Sequence, residues 1–82
     1  MTNLTNRTWT ATITVHGETF AADESELNLK ADQLKATVRE AVAYLEDGDR
    51  AEVDIYKTTK TRGTVRDTSR TVSLVDGKVW VQ

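Results

Sequence analysis

The chain has 82 residues, a net charge of −2, and neither cysteine nor proline. This length predicts one small domain over residues 1–82, in which residues 1–6 are polar and expected to fray. The absence of cysteine excludes disulfides and thiolate metal sites and favours a cytoplasmic protein. No apolar run approaches the ~18 residues of a membrane span, and no signal-peptide layout is present, so no membrane partner is predicted.

The first predicted element is a β-hairpin. Apolar side chains occupy every second position of one run: Trp9, Ala11, Ile13 and Val15. Threonines, including Thr10 and Thr12, fill the positions between them, and this alternation is typical of a half-buried strand. A two-residue turn at His16-Gly17 places Ile13 opposite Phe20, so the apolar side chains of both strands share one face.

The stretch Ala31–Glu46 is the only long segment with a helical period. Its apolar side chains form one stripe with α-helical spacing: Leu34, Val38, Ala41, Val42 and Leu45. Asn28 is one candidate for the N-terminal cap, and a start near Lys30 is the other. Leu27 is expected beneath the start of the helix. Gly48 suits the left-handed position that follows a helix, so we expect the helix to end just before it.

Three further strands are predicted after the helix. In the first of them, Ala51, Val53 and Ile55 alternate with polar residues. The last two form a hairpin around an Asp76-Gly77 turn. Its core-facing side chains are expected to be Val72, Leu74, Val79 and Val81. In this register Trp80 points away from the core.

Residues 57–70 are compatible with a loop or with a protruding basic hairpin arm. A turn at Arg62-Gly63 would extend the flanking strands and place Val53 opposite Val72, which keeps the apolar residues on one face. The outer half, from Lys57 to Thr68, would then project as a two-stranded ribbon roughly 20 Å long. Arginine is not preferred in the first position of a type I′ turn, so a wider tip stays open as an alternative.

Together these elements predict an α+β domain with the order ββαβββ. The economical packing is a mainly antiparallel five-stranded sheet with the single helix packed on one face. The opposite face of the sheet is then left without a covering layer and is expected to carry mostly polar side chains.

The sequence contains no recognisable catalytic or metal-binding set. The only histidine, His16, falls in a predicted turn, and no serine has a histidine–carboxylate pair beside it. The acidic run at residues 46–49 lacks the ligand spacing of a calcium loop. We therefore expect a non-enzymatic protein with no cofactor and no metal site.

The sheet face away from the helix is the first candidate binding surface. It is expected to present Trp80 and Tyr56 among polar side chains that include Thr10 and Thr12. Exposed tryptophan and tyrosine are typical of the centres of protein interfaces. This pattern favours docking on a protein partner or on a second copy of the chain.

The second candidate surface is the basic segment, whose cationic side chains are Lys57, Lys60, Arg62, Arg66 and Arg70. Such charges can follow a phosphate backbone, so nucleic-acid binding is the alternative hypothesis. Residues 1–54 hold 5 basic and 11 acidic side chains, a balance of −6, and residues 55–82 hold 6 and 2, a balance of +4. The acidic part would repel a nucleic acid, which favours the protein partner.

Overall fold

The computed structural model describes residues 8–23, 27, 32–59 and 61–82. Its elements are β1 (Thr8–Val15), β2 (Glu18–Ala21), α1 (Gln33–Val42), β3 (Arg50–Thr59), β4 (Gly63–Val75) and β5 (Lys78–Val81). Every strand pairs antiparallel with its neighbours, in the order β2-β1-β3-β4-β5. The helix packs on β1, β3 and β4. The predicted α+β fold, with ββαβββ order, is confirmed.

Both predicted two-residue turns are present. His16 and Gly17 have φ values of 54° and 80°, and Asp76 and Gly77 have 53° and 74°. Positive φ at both central residues defines a type I′ turn, whose twist matches that of the flanking strands. The first hairpin pairs Ile13 with Phe20, as predicted. The last hairpin pairs Leu74 with Val79 and Val72 with Val81, also as predicted.

The core lies between α1 and the helix-facing side of β1, β3 and β4. Its buried apolar side chains are Ala11, Ile13, Val15, Ala22, Leu27, Ala41, Leu45, Ala51, Val53, Ile55 and Val72. The rest of the predicted helical stripe, Leu34, Val38 and Val42, packs against this set and is partly buried. Thr37 is the buried polar residue among the described positions, and its hydroxyl donates to the carbonyl of Gln33 at 2.8 Å. That bond allows a polar side chain to lie in the apolar interface.

The ends of α1 differ from the prediction. Asp32 is the N-terminal cap, because its Oδ1 accepts a hydrogen bond from the Lys35 N–H at 3.0 Å. The two predicted starts, Asn28 and Lys30, lie outside the described residues and precede this cap. The predicted end at Gly48 is wrong, since α1 stops at Val42.

A run of tight turns replaces the missing last part of the predicted helix. The N–H groups of Tyr44 and Leu45 donate to carbonyls three residues earlier, and Leu45 reaches the core from this path. Gly48 does have a positive φ, 93°, but its N–H donates to the carbonyl of Leu74 at 2.7 Å. Gly48 therefore bonds the loop after α1 to β4 and does not terminate the helix.

The register between β3 and β4 differs by two residues from the predicted one. Val53 lies opposite Arg70, and Val72 lies opposite Ala51. Two irregularities cause the shift: the tip between Thr59 and Gly63 spans three residues, and a β-bulge next to Ile55 contains one unpaired residue of β4. Because the net shift is even, the apolar side chains below the bulge stay on the helix-facing side.

The segment predicted to project as a two-stranded ribbon is flanked by a third strand over part of its length. β1 runs beside β3 as far as the pair of Thr8 with Thr58, and Trp9 lies opposite Lys57. The predicted ribbon from Lys57 to Thr68 is therefore wrong at its base, because an eight-residue β1 is long enough to accompany β3 there. Among the described residues, no helix is long and apolar enough to cross a membrane.

Candidate protein-interaction surface

The edge strand β5 exposes more apolar surface than any other described element. Val79, Trp80 and Val81 are 45%, 56% and 44% exposed, and Val75 at the end of β4 is 46% exposed. Large apolar side chains that are contiguous and exposed mark interaction sites more often than scattered ones do. We call Val75 and the β5 residues Lys78–Val81 the β5 edge.

The helix leaves the β5 edge uncovered. A ten-residue helix is about 15 Å long and packs on β1, β3 and β4, so β5 lies beside it. Val79 forms one wall of a shallow groove whose other lining residues belong to the helix: Lys35, Val38, Arg39 and Val42. The prediction that Val79 and Val81 belong to the core is therefore wrong. They point to the helix-facing side as predicted, but within the described part of the chain they stay 45% and 44% exposed.

The backbone of β5 also has hydrogen-bonding groups that face away from the sheet. Thr71 and Gln82 exchange both N–H···O bonds, each at 2.9 Å. Because such pairs alternate along an antiparallel ladder, Trp80 also directs its N–H and C=O toward β4, opposite Ser73. The N–H and C=O groups of Val79 and Val81 therefore point outward. The next outward N–H, that of Gly77, already donates to Asp47 Oδ1 at 3.0 Å.

The other described edges are protected against pairing. The part of β4 beyond β5 contains the bulge and the charged side chains of Arg66, Asp67 and Arg70. Bulges and charges are common devices that prevent edge-to-edge association. β2, at the opposite edge, is as short as β5, but besides Glu18 its exposed side chains are the small ones of Thr19 and Ala21, so it offers less apolar surface to a partner.

The four residues predicted for the sheet face do not form one patch. Tyr56 lies beside Thr10 on the uncovered face, and Thr12 is on the same strand two residues further along. Trp80 pairs with Ser73, which is opposite Arg50. The stretch of β3 from Arg50 to Tyr56 spans about 20 Å. The structure therefore brings Thr10, Thr12 and Tyr56 together and sets Trp80 apart at the β5 edge.

Polar side chains separate these two groups. Glu52 and Asp54 occupy the uncovered face of β3 between Arg50 and Tyr56, opposite Thr71 and Ser69. Ser69 Oγ donates to Asp54 Oδ1 at 2.7 Å. The uncovered face is thus a polar surface with its one strongly exposed aromatic side chain, Trp80, at one edge. Tyr56 is partly buried.

The cationic side chains of the basic segment point in different directions. Lys57 lies on the helix-facing side, with its Nζ 3.3 Å from Asp67 and 5.9 Å from the centroid of the Trp9 ring. Arg66 lies on the uncovered face, 3.9 Å from Asp54. Two of the predicted phosphate contacts are therefore paired with carboxylates and face opposite sides of the sheet.

The remaining cations do not complete a single row. Arg70 lies opposite Val53 on the helix-facing side and donates to the carbonyl of Ser69 at 2.8 Å. Arg62 is exposed at the tip, where its N–H donates to Thr59 Oγ1. Lys60 lies outside the described residues. The charges on the described residues do not trace one continuous path for a phosphate backbone.

A shallow polar pocket lies at the end of the sheet beside the first turn. Its chemistry centres on His16 and Asp49, whose Nε2 and Oδ2 atoms are 3.2 Å apart. The N–H of Glu46 also donates to Asp49 Oδ2 at 3.0 Å. This backbone hydrogen bond, with a smaller contribution from His16, holds the pKa of Asp49 below its ordinary value. The hydrogen bonds of Asp49 to His16 and to the Glu46 N–H tie the turn to the loop after α1.

Replacing Asp49 by asparagine should reduce the dependence of stability on acid pH. A folded-state pKa below the unfolded value contributes stability that is present above the unfolded pKa and is lost as pH falls through the folded pKa. The difference in unfolding free energy between the wild type and Asp49→Asn should therefore shrink as pH falls below the ordinary pKa of an aspartate, about 3.9. Urea unfolding of both proteins at a series of pH values above and below this pKa measures the difference. A difference in unfolding free energy that stays constant over the whole acid range would contradict the lowered pKa of Asp49.

No group of three or more histidine, cysteine, aspartate or glutamate side chains able to hold a metal ion occurs in the described part of the chain. Comparisons of the chain with family models, with curated proteins and with solved structures found no match. The description of function therefore depends on the surfaces of this molecule alone.

Proposed function

We propose that this protein is a small, non-enzymatic interaction module that docks on another protein chain through the β5 edge. The supporting observation is the free edge strand with Trp80 exposed to 56% between two exposed valines. An edge of this kind offers a row of backbone hydrogen-bonding groups for affinity and alternating side chains for specificity. Tryptophan is also one of the side chains enriched among the residues that dominate binding energy.

The division of the β5 edge into two sides supports docking by strand addition. Val79 and Val81 lie on the helix-facing side, next to the groove beside α1, and Trp80 lies on the other side. An added strand would therefore find apolar contacts on both of its faces. Tyr56, Thr10 and Thr12 lie too far away to belong to the same contact and are not part of this proposal.

Capture from a native lysate with the immobilised chain tests the proposal. Trp80→Ala should lose the captured partner, because it removes the largest exposed apolar side chain of the edge. Tyr44→Ala is the matched control, since Tyr44 is an aromatic residue of similar exposure, 53%, that packs on Phe20 instead. It should capture as the wild type does.

The same experiment distinguishes the nucleic-acid hypothesis. Binding through the basic segment would survive Trp80→Ala, would fall with added salt and would be lost after charge reversal at Arg62 and Arg66. That result would overturn docking at the β5 edge. Identical capture by the wild type and by all of these variants would overturn both.

A further inference from the structure

We propose that the occupant of the β5 edge is the β5 edge of a second copy, paired antiparallel about a twofold axis at Trp80. This inference rests on the proposed function, because it assigns a partner to the same surface. Pairing would join the two sheets into one continuous antiparallel sheet. Twofold pairing also closes on itself, so that each free β5 edge is removed by the other.

In one register, the outward N–H and C=O groups of β5 in one copy lie opposite the outward groups of β5 in the second copy. With the axis at Trp80, Val79 lies opposite Val81 of the second copy, and Val81 lies opposite its Val79. These are the residues whose N–H and C=O groups point outward. Each outward donor therefore meets an outward acceptor, and no group that already bonds to β4 has to be released.

The side chains fit the same register. Trp80 lies opposite Trp80 of the second copy at a non-hydrogen-bonded site, where facing side chains are closest. The valines of both copies stay on the helix-facing side, because opposed residues share a face in an antiparallel pair. Lys78 lies opposite Gln82, so no two like charges are placed against each other.

The shifted registers toward the turn are less favourable. A shift of the pairing by two residues would place Val81 opposite Gly77, whose N–H is already donated to Asp47. A further shift of two would place Lys78 opposite Lys78 of the second copy, which opposes like charges. The register centred on Trp80 avoids both conflicts.

The interface formed in this way is small. One short edge strand from each copy buries less than the roughly 1,200 Å² below which complexes tend to be weak and transient. We therefore expect a reversible dimer that forms in the micromolar range and dissociates on dilution.

Sedimentation equilibrium of the full chain at several concentrations tests the pairing. The wild type should change from monomer to dimer with rising concentration. Val81→Pro should remain monomeric, because it removes an outward N–H and leaves the bonds between β4 and β5 in place. Val81→Thr, which keeps the N–H and the branched shape, should still dimerise.

Single cysteines in this cysteine-free chain test the register. Lys78→Cys mixed with Gln82→Cys should form a disulfide under mild oxidation, because these residues lie opposite each other at a non-hydrogen-bonded site, where Cα atoms are within disulfide range, and both variants keep Trp80. Val79→Cys and Val81→Cys should cross-link faster when mixed than either does alone. Thr19→Cys, at the opposite edge of the sheet, is the control and should cross-link at least tenfold more slowly than the mixture of Lys78→Cys and Gln82→Cys.

The outcomes separate this inference from the proposed function. A wild type that stays monomeric at about 1 mM, or one whose dimer survives Val81→Pro, overturns self-pairing. Equal cross-linking of Thr19→Cys and of the mixture of Lys78→Cys and Gln82→Cys overturns it as well. If a different protein is still captured in a manner that requires Trp80, docking at the β5 edge stands while the second copy is excluded as its occupant.

Discussion

Replacing Ile13 by alanine should lower the free energy of unfolding by about 2–5 kcal/mol. Ile13 is 0% exposed and lies on β1 between Phe20 of β2 and Val53 of β3. Truncation there removes buried apolar surface and leaves a cavity that the flanking strands cannot fill. In a domain whose total stability is expected to be near the lower end of about 5–15 kcal/mol, this is a large fraction of the whole. Equilibrium urea unfolding measures the loss.

Thr12→Ala is the matched control for Ile13→Ala. Thr12 is the preceding residue of the same strand, but its side chain lies on the uncovered face opposite Asp54. Its replacement should change the unfolding free energy by no more than about 1 kcal/mol. Equal losses at the two positions would contradict the assignment of these neighbouring side chains to a buried and an open face.

Leu27→Ala should have an effect of similar size, about 2–5 kcal/mol. Leu27 is 1% exposed and belongs to the connection between β2 and α1. Its N–H donates to the carbonyl of Asp23 at 3.1 Å, and its own carbonyl accepts a hydrogen bond from Gln33 Nε2 at 3.3 Å. These bonds hold the residue where its side chain closes the core, so its truncation removes a core contact. Thermal or urea unfolding of the variant measures the loss.

Val79→Ala provides the comparison for Leu27→Ala. It also truncates a branched apolar side chain, but Val79 is 45% exposed. Its removal in the monomer should cost clearly less than the Leu27 truncation, because less apolar surface leaves water on folding. If the two variants unfold at the same urea concentration, Leu27 is not the core residue that the structure describes.

The alternation of residues was sufficient to predict most of the sheet. Apolar positions in β1, β3 and the last hairpin recur every second residue, and a one-residue error would expose a whole row of them. The two type I′ turns added an independent constraint, since His16-Gly17 and Asp76-Gly77 fix the register of their hairpins. Period and turn chemistry agree in these hairpins, and both registers were predicted correctly.

Local signals failed where distant residues decide the structure. Gly48 has the conformation expected after a helix, but its N–H bonds to Leu74, which lies far along the chain. The β3–β4 register depends on a bulge at Ile55 and on a three-residue tip. Arg62 at the first turn position indicated the wider tip that the structure has, whereas no pattern in the residues distinguishes the bulge from regular pairing.

The candidate site was predicted only in part. Trp80 was expected to be exposed from parity alone, and it is. Val79 and Val81 were assigned to the core. The alternation of residues indicates which side of the sheet a side chain lies on, but not whether another layer covers that side. The sequence predicted a helix that continues to Gly48, whereas the helix of the structure has ten residues and leaves β5 uncovered, so this exposure could not be predicted from the pattern. The separation of Tyr56 from Trp80 required the strand order.

Amide hydrogen exchange along β5, started at low and at high protein concentration, tests the central claim most directly. At low concentration the Trp80 amide should exchange slowly, and the amides of Val79 and Val81 should exchange quickly, because their N–H groups point into solvent. At high concentration the two valine amides should become protected while Trp80 changes little. Fast exchange of Trp80, or valine amides protected equally at both concentrations, would contradict the description of β5 as a free edge that pairs with its own copy.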